Sequence, residues 1–264
     1  MTTTTAFDKA KAENRAALVG YLPAGFPTVA GGIDAIKAMV DHGCDVIEIG
    51  LPYSDPVMDG PTIQAAAQMA LEGGVRTRDV LTTVEAIAAT GVPTLVMTYW
   101  GPIERYGAAA WARDLAAAGG AGMITPDITP DYGQDWIAAA DEHDLDKVFL
   151  VAPSSTDERI AMTTAACRGF VYAAAVMGVT GGKVAQTDVV GPLVARTKAT
   201  TSVPVGVGIG VSNGAQAHEI AQHADGVIVG SAFVRAVLEA QGDQKAALTA
   251  LANLTTDLRQ GVQR

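Results

Sequence analysis

Eight short apolar runs, rich in valine and isoleucine and lacking the alternation of a half-buried strand, recur down this chain and constrain its fold more than any other feature. They occupy residues 16–21, 45–49, 94–98, 122–125, 148–151, 169–172, 204–208 and 226–230. Runs of this kind belong to parallel strands covered on both faces. Between them lie alanine-rich segments with helical spacing, among them 32–42, 78–89, 108–118, 136–143, 212–222 and 232–240, and residues 243–263 read as a helix that closes the outer ring. Dividing 264 residues by eight strands gives 33 per βα unit. That suffices for a crossover of roughly 30 residues, and the total suits the about 250 typical of a closed eight-stranded barrel. The expected fold is an α/β protein, a (β/α)8 TIM barrel. A doubly wound open sheet, the competing arrangement, expects GxGxxG after its first strand, where this chain has Pro23-Ala24-Gly25-Phe26-Pro27. No linker or shift in composition divides residues 1–264, which predicts a single domain.

Composition narrows the function classes. With 49% hydrophobic and 17% charged residues the chain can build a large core, so disorder is excluded. A net charge of −10 and the absence of any Lys or Arg run leave nothing to neutralise a nucleic-acid backbone or hold an anionic membrane surface. No apolar run approaches the roughly 18 residues of a membrane helix, and Thr2 to Thr5 stand where a signal sequence would carry its apolar core, which predicts a cytoplasmic protein. Cys44 and Cys167 lack metal or redox spacing and read as core thiols. His42, His143, His218 and His223 fall in or beside helices without ligand spacing, so no metal site is expected.

In such a barrel the chemistry gathers at the C-terminal strand ends. There Glu48 interrupts Val46-Ile47-Glu48-Ile49 with a carboxylate in a run otherwise buried, where an unpaired charge is costly or its pKa is shifted. The alternative is a structural ion pair, although none of the eight runs contains Lys or Arg. The loop that follows carries Asp55 and Asp59. Each suits an ordinary turn, as Asp55-Pro56 and Asp59-Gly60, but Asp59 lies above the same strand end as Glu48, and two carboxylates in different surroundings commonly divide acid and base roles. Glycine segments end three later strands: Gly178-Val179-Thr180-Gly181-Gly182, Gly206-Val207-Gly208-Ile209-Gly210 and Gly230-Ser231. Each could be a helix cap or tight turn; together they suit a phosphate held by backbone N–H groups and a helix N-terminus. Residues 178–188, poor in large apolar groups, read as a loop that closes over the mouth. A lysine for Schiff-base chemistry is missing from the strand ends, since Lys147 lies at the start of strand five and Lys183 in a loop. A carbon–carbon cleavage here would need a substrate that is its own electron sink.

Glu48-Ile49-Gly50-Leu51-Pro52-Tyr53-Ser54-Asp55-Pro56 with Asp59-Gly60-Pro61-Thr62-Ile63-Gln64, then Gly178-Val179-Thr180-Gly181, Gly208-Ile209-Gly210-Val211-Ser212 and Gly230-Ser231-Ala232, closely resemble the tryptophan synthase alpha chain over nearly the whole length. The resemblance implies a barrel that cleaves indole-3-glycerol phosphate to indole and glyceraldehyde 3-phosphate. It implies Glu48 as the acid/base and Asp59 as the acceptor of the indole N–H. Tyr21, Met97, Leu150, Tyr172, Thr180 and Ile209 correspond to the substrate pocket, and Gly181, Gly210, Gly230 and Ser231 to the phosphate site, with Thr180 latching Asp59 when the loop closes. No cofactor is implied in this chain; pyridoxal phosphate belongs to a beta-chain partner in an alpha2beta2 tetramer. The sequence departs from frequent family residues at Gly101, Ala175 and Val176. A lyase subunit, a chain serving mainly as an allosteric binding subunit and a free-standing lyase all remain compatible with these residues.

Overall fold

A computed structural model describes residues 2–175 and 187–264. Eight parallel strands, β1 (Ala17–Pro23), β2 (Val46–Gly50), β3 (Thr94–Met97), β4 (Gly122–Thr125), β5 (Asp146–Val151), β6 (Val171–Ala174), β7 (Val205–Gly208) and β8 (Gly226–Val229), pair in sequence order and close where β8 meets β1. The expected (β/α)8 architecture is the observed one. Every helix segment named from the sequence forms, with ends moved by at most three residues. The moves follow local caps, as where Thr28 accepts the Gly31 N–H and starts the helix Val29–Asp41 before its first clearly periodic residue.

Two strands begin two residues away from the start of their apolar runs, the largest such shift. β6 starts at Val171 because Gly169 takes φ +93° and Arg168 pairs antiparallel with Lys147 before the chain turns into the sheet. β5 starts at Asp146, two residues before its apolar run, and so takes in Lys147 at its start, where the sequence placed it. Lys147 ion-pairs with Asp141 at the N-terminal rim, far along the strand from the end that carries chemistry.

The residues before β1, from which nothing was expected, form the helix Thr3–Ala12. Thr2 caps it, and Thr3, Ala6, Phe7 and Ala10 make its buried stripe at helical spacing. This helix stoppers the barrel from below. Phe7 stacks on Phe170 at 5.3 Å, and Phe170 lies 6.3 Å from Tyr172, so three rings run up the interior. They fit because small residues face them: a Cβ on Gly226 would lie 2.7 Å from Phe7, one on Gly206 3.1 Å from Phe170, and one on Gly208 2.9 Å from the ring of Tyr172. Around the rings, Ala17, Val19, Val46, Leu95, Ile124, Val148 and Ile228 fill the rest of the interior, while a larger cluster packs between the sheet and its helices. Cys44 and Cys167 are buried and free, and burial raises both thiols, Cys167 to about 12. No helix among the described residues is long and apolar enough to cross a membrane.

Glycine serves the same purpose at the top of the barrel. A Cβ on Gly50 would meet the hydroxyl of Tyr21 and lie 2.7 Å from its Cζ. Gly50→Ala is therefore expected to lower stability by about 1–3 kcal/mol, since the ring must leave its position to make room. An unchanged denaturation midpoint would mean that Tyr21 has space to yield.

Candidate active site

The registers of the sheet bring the C-terminal strand ends together. Tyr21 of β1 pairs across with Glu48 of β2, Gly50 with Met97 of β3, and Leu150 of β5 with Tyr172 of β6. Met97, Leu150 and Tyr172 pack on the interior cluster, and Tyr21 stands over Gly50. Ile209, just past β7, differs: it is buried in the larger cluster between sheet and helices.

Glu48 is 1% exposed, and its Oε1 has no hydrogen-bond partner among the described residues. Burial alone lifts its pKa from 4.5 to about 8, with no cation opposing the shift. The ion-pair alternative is thereby set aside. At neutral pH this carboxyl keeps its proton, a state suited to a general acid whose conjugate base can take a proton back. Asp59, in the loop between β2 and the helix Pro61–Glu72, is also raised by burial, while the nearby Tyr99 hydroxyl opposes that rise. The two carboxyls thus sit in unlike surroundings, one fully buried with Oε1 unpartnered among the described residues, the other partly buried beside a phenol. Both are close enough to Tyr21 to raise its phenol further beyond the effect of burial, and Glu48 does the same to Tyr172.

On the neighbouring strand ends, β7 leads to Gly210, which takes φ +82° and has open space where a Cβ would project. β8 leads to Gly230, the N-cap of the helix Ser231–Glu239. No side chain caps that helix, so its first-turn N–H groups remain available to an anion, and Ser231 is 9% exposed. Because β7 and β8 are hydrogen-bonded neighbours, the two glycines flank one corner of the mouth. Thr180 and Gly181 lie outside the described residues, as does most of the loop expected over 178–188; Asp188 sits in the short 3-10 turn Thr187–Val189. No group of three or more His, Cys, Asp and Glu side chains able to hold a metal gathers among the described residues.

Sequence reasoning missed Tyr99. It stands just past the end of β3, 6% exposed, and accepts the Met58 N–H at 3.0 Å. Its only signal was a tyrosine at a strand end, which reads equally well as a core residue. Asp127 was missed as well: both its carboxylate oxygens accept the Trp100 N–H, at 3.0 and 2.9 Å.

A closed parallel barrel with two differently set carboxyls at its mouth and an anion corner beside them defines a barrel enzyme acting on a small phosphorylated substrate by acid–base chemistry. Comparison with known proteins makes this particular. The family model described as tryptophan synthase alpha chain matches residues 7–263, and the chain belongs to that family. It is 59% identical over 258 residues to the tryptophan synthase alpha chain of Salinispora arenicola, covering 98% of this chain and 96% of that one. It is 58% identical to that of Mycobacterium marinum, covering 98% and 93%. Among solved structures, a chain of Mycobacterium tuberculosis tryptophan synthase superposes with a TM-score of 0.93 at 56% identity, covering 99% of this chain and 98% of that one.

Proposed function

We propose that this chain is the alpha subunit of tryptophan synthase, a lyase that cleaves indole-3-glycerol phosphate to indole and glyceraldehyde 3-phosphate and passes indole to a beta subunit. The observation that supports the reading of its site is the buried Glu48, its Oε1 without a partner among the described residues, together with the partly buried Asp59 in the loop that follows the same strand. Neutral Glu48 gives its proton to indole C3. Asp59 accepts the indole N–H and steadies the positive charge that C3 protonation places on the ring. The Glu48 carboxylate then takes the proton from the glycerol hydroxyl next to the scissile bond. As that C–O becomes an aldehyde, the C–C bond breaks and its electron pair flows into the ring, neutralising it and leaving indole. Glu48 ends protonated as it began.

The ring is the electron sink, so this chain needs neither metal nor Schiff base for the step. Tyr21, Met97, Leu150, Tyr172, Thr180 and Ile209 are assigned to the indole and glycerol parts of the substrate. Gly181, Gly210, Gly230 and Ser231 are assigned to its phosphate, held by backbone N–H groups. The partner is a tryptophan synthase beta chain, in an alpha2beta2 tetramer acting in the cytoplasm, and pyridoxal phosphate resides in that partner.

The test is indole release from indole-3-glycerol phosphate by the purified chain across pH 6 to 10, alone and with a beta chain. Because the starting acid has its pKa raised to about 8, turnover should be flat below that pH and fall tenfold per unit above it. The absence of indole with and without the beta chain would refute the function; a rate still rising at pH 10 would remove Glu48 as the initial acid.

A further inference from the structure

Asp59 is carried on a loop rather than on a strand or helix. Between β2 and the helix Pro61–Glu72, the Leu51 N–H donates to Met97 O at 3.0 Å and the Gln64 side chain donates to Asp59 O at 2.8 Å. Ser54 and Asp55 bond only each other within the loop, at 2.6 Å, and Val57 is 71% exposed. A further tie is Tyr99, whose hydroxyl accepts the Met58 N–H at 3.0 Å and so fixes the backbone one residue before Asp59. The same phenol stands near enough to the Asp59 carboxyl to oppose the rise that burial causes in its pKa. The ring is not free to wander: it lies 5.5 Å from that of Tyr53, also on the loop. Its own backbone is the N-cap of the helix Trp100–Tyr106, whose first N–H is gripped by both oxygens of Asp127 from the β4 end. A rigid series therefore runs from the β4 end through Asp127, Trp100 and Tyr99 to Met58, the residue next to Asp59.

We propose that Tyr99 is a positioning residue for the cleavage, holding Asp59 aimed at the indole N–H before the substrate arrives. This rests on the reading of Asp59 as the acceptor of that N–H. A preset carboxylate needs no reorientation when charge develops on the ring, so Tyr99 acts on turnover and hardly on binding. Tyr21 also faces the Asp59 carboxyl, from β1, but is not hydrogen-bonded to it among the described residues.

The experiment is a double-variant cycle on the full chain saturated with its beta partner, measuring single-turnover indole release. Tyr99→Phe keeps the ring and removes the oxygen; kcat should fall by at least about tenfold with KM within about twofold. The combined Tyr99→Phe and Asp59→Asn variant should be no slower than Asp59→Asn alone, since the phenol acts only through that carboxylate. A native rate in Tyr99→Phe, a loss confined to KM, or effects that multiply in the double variant would overturn the proposal. Should Tyr99→Phe not fold, Asp127→Ala takes its place in the same cycle with the same criteria. If Asp59→Asn alone keeps the native rate, the role of Asp59 fails; if it is slow while Tyr99→Phe is native, only the positioning fails.

Discussion

Glu48→Gln should fold, bind indole-3-glycerol phosphate and lose its cleavage by about 10²- to 10⁴-fold, the usual worth of general acid–base help, with the upper part of that range expected because one group serves both proton transfers. The same substitution should stabilise the protein in alkaline solution. Glu48 is raised from 4.5 to about 8 by burial. Below pH 4.5 it is neutral folded and unfolded, and burying it as an acid costs nothing through ionisation. Between those values the unfolded chain releases the proton and the folded chain keeps it, so native stability drains away as pH rises, by an upper limit of roughly 3 kcal/mol at pH 7. Glutamine has no proton to lose. Denaturant titrations of the two proteins at pH 5 and pH 9 should therefore diverge, with the variant ahead at pH 9; parallel curves would mean that Glu48 is ionised in the folded chain, and substantial residual turnover would remove it from catalysis.

Asp59→Asn is the second large effect. The amide keeps the size of the side chain, but it brings no negative charge to the indoleninium. Losing a preorganised group of this type costs about 10²- to 10³-fold in turnover. Binding of glycerol phosphate should stay within about twofold, because the phosphate site proposed above lies at Gly210, Gly230 and Ser231 on the β7 and β8 side and not on this loop. A parallel loss of phosphate affinity would mark Asp59 as a structural member of its loop.

Much of this site can be read without coordinates, for a physical reason: an acid within a run of buried aliphatic residues contradicts its surroundings, and Glu48 does so openly. Glycines at consecutive strand ends carry a similar signal. The strands were legible because parallel strands buried on both faces show as unbroken apolar runs, whereas β6 was displaced by a turn at Gly169 that such runs do not encode. The helix Thr3–Ala12 escaped because threonine supplies one of its four buried positions, breaking the apolar stripe that a helix is recognised by. Tyr99 and Asp127 escaped for another reason. Their importance lies in what they touch across the barrel, at Met58 and Trp100, and no local pattern announces a tertiary hydrogen bond.

The rings of Phe7, Phe170 and Tyr172 form a pillar whose foot is on the first helix and whose capital, Tyr172, is assigned to the substrate pocket in the function proposed above. In a close-packed interior such a pillar transmits height: remove a ring at the base, and those above can settle. The depth available to an indole ring is thus governed in part from the opposite rim, by a residue that no substrate touches. Selection for larger or smaller aromatic substrates has a handle at Phe7, remote from every charged group the chemistry uses.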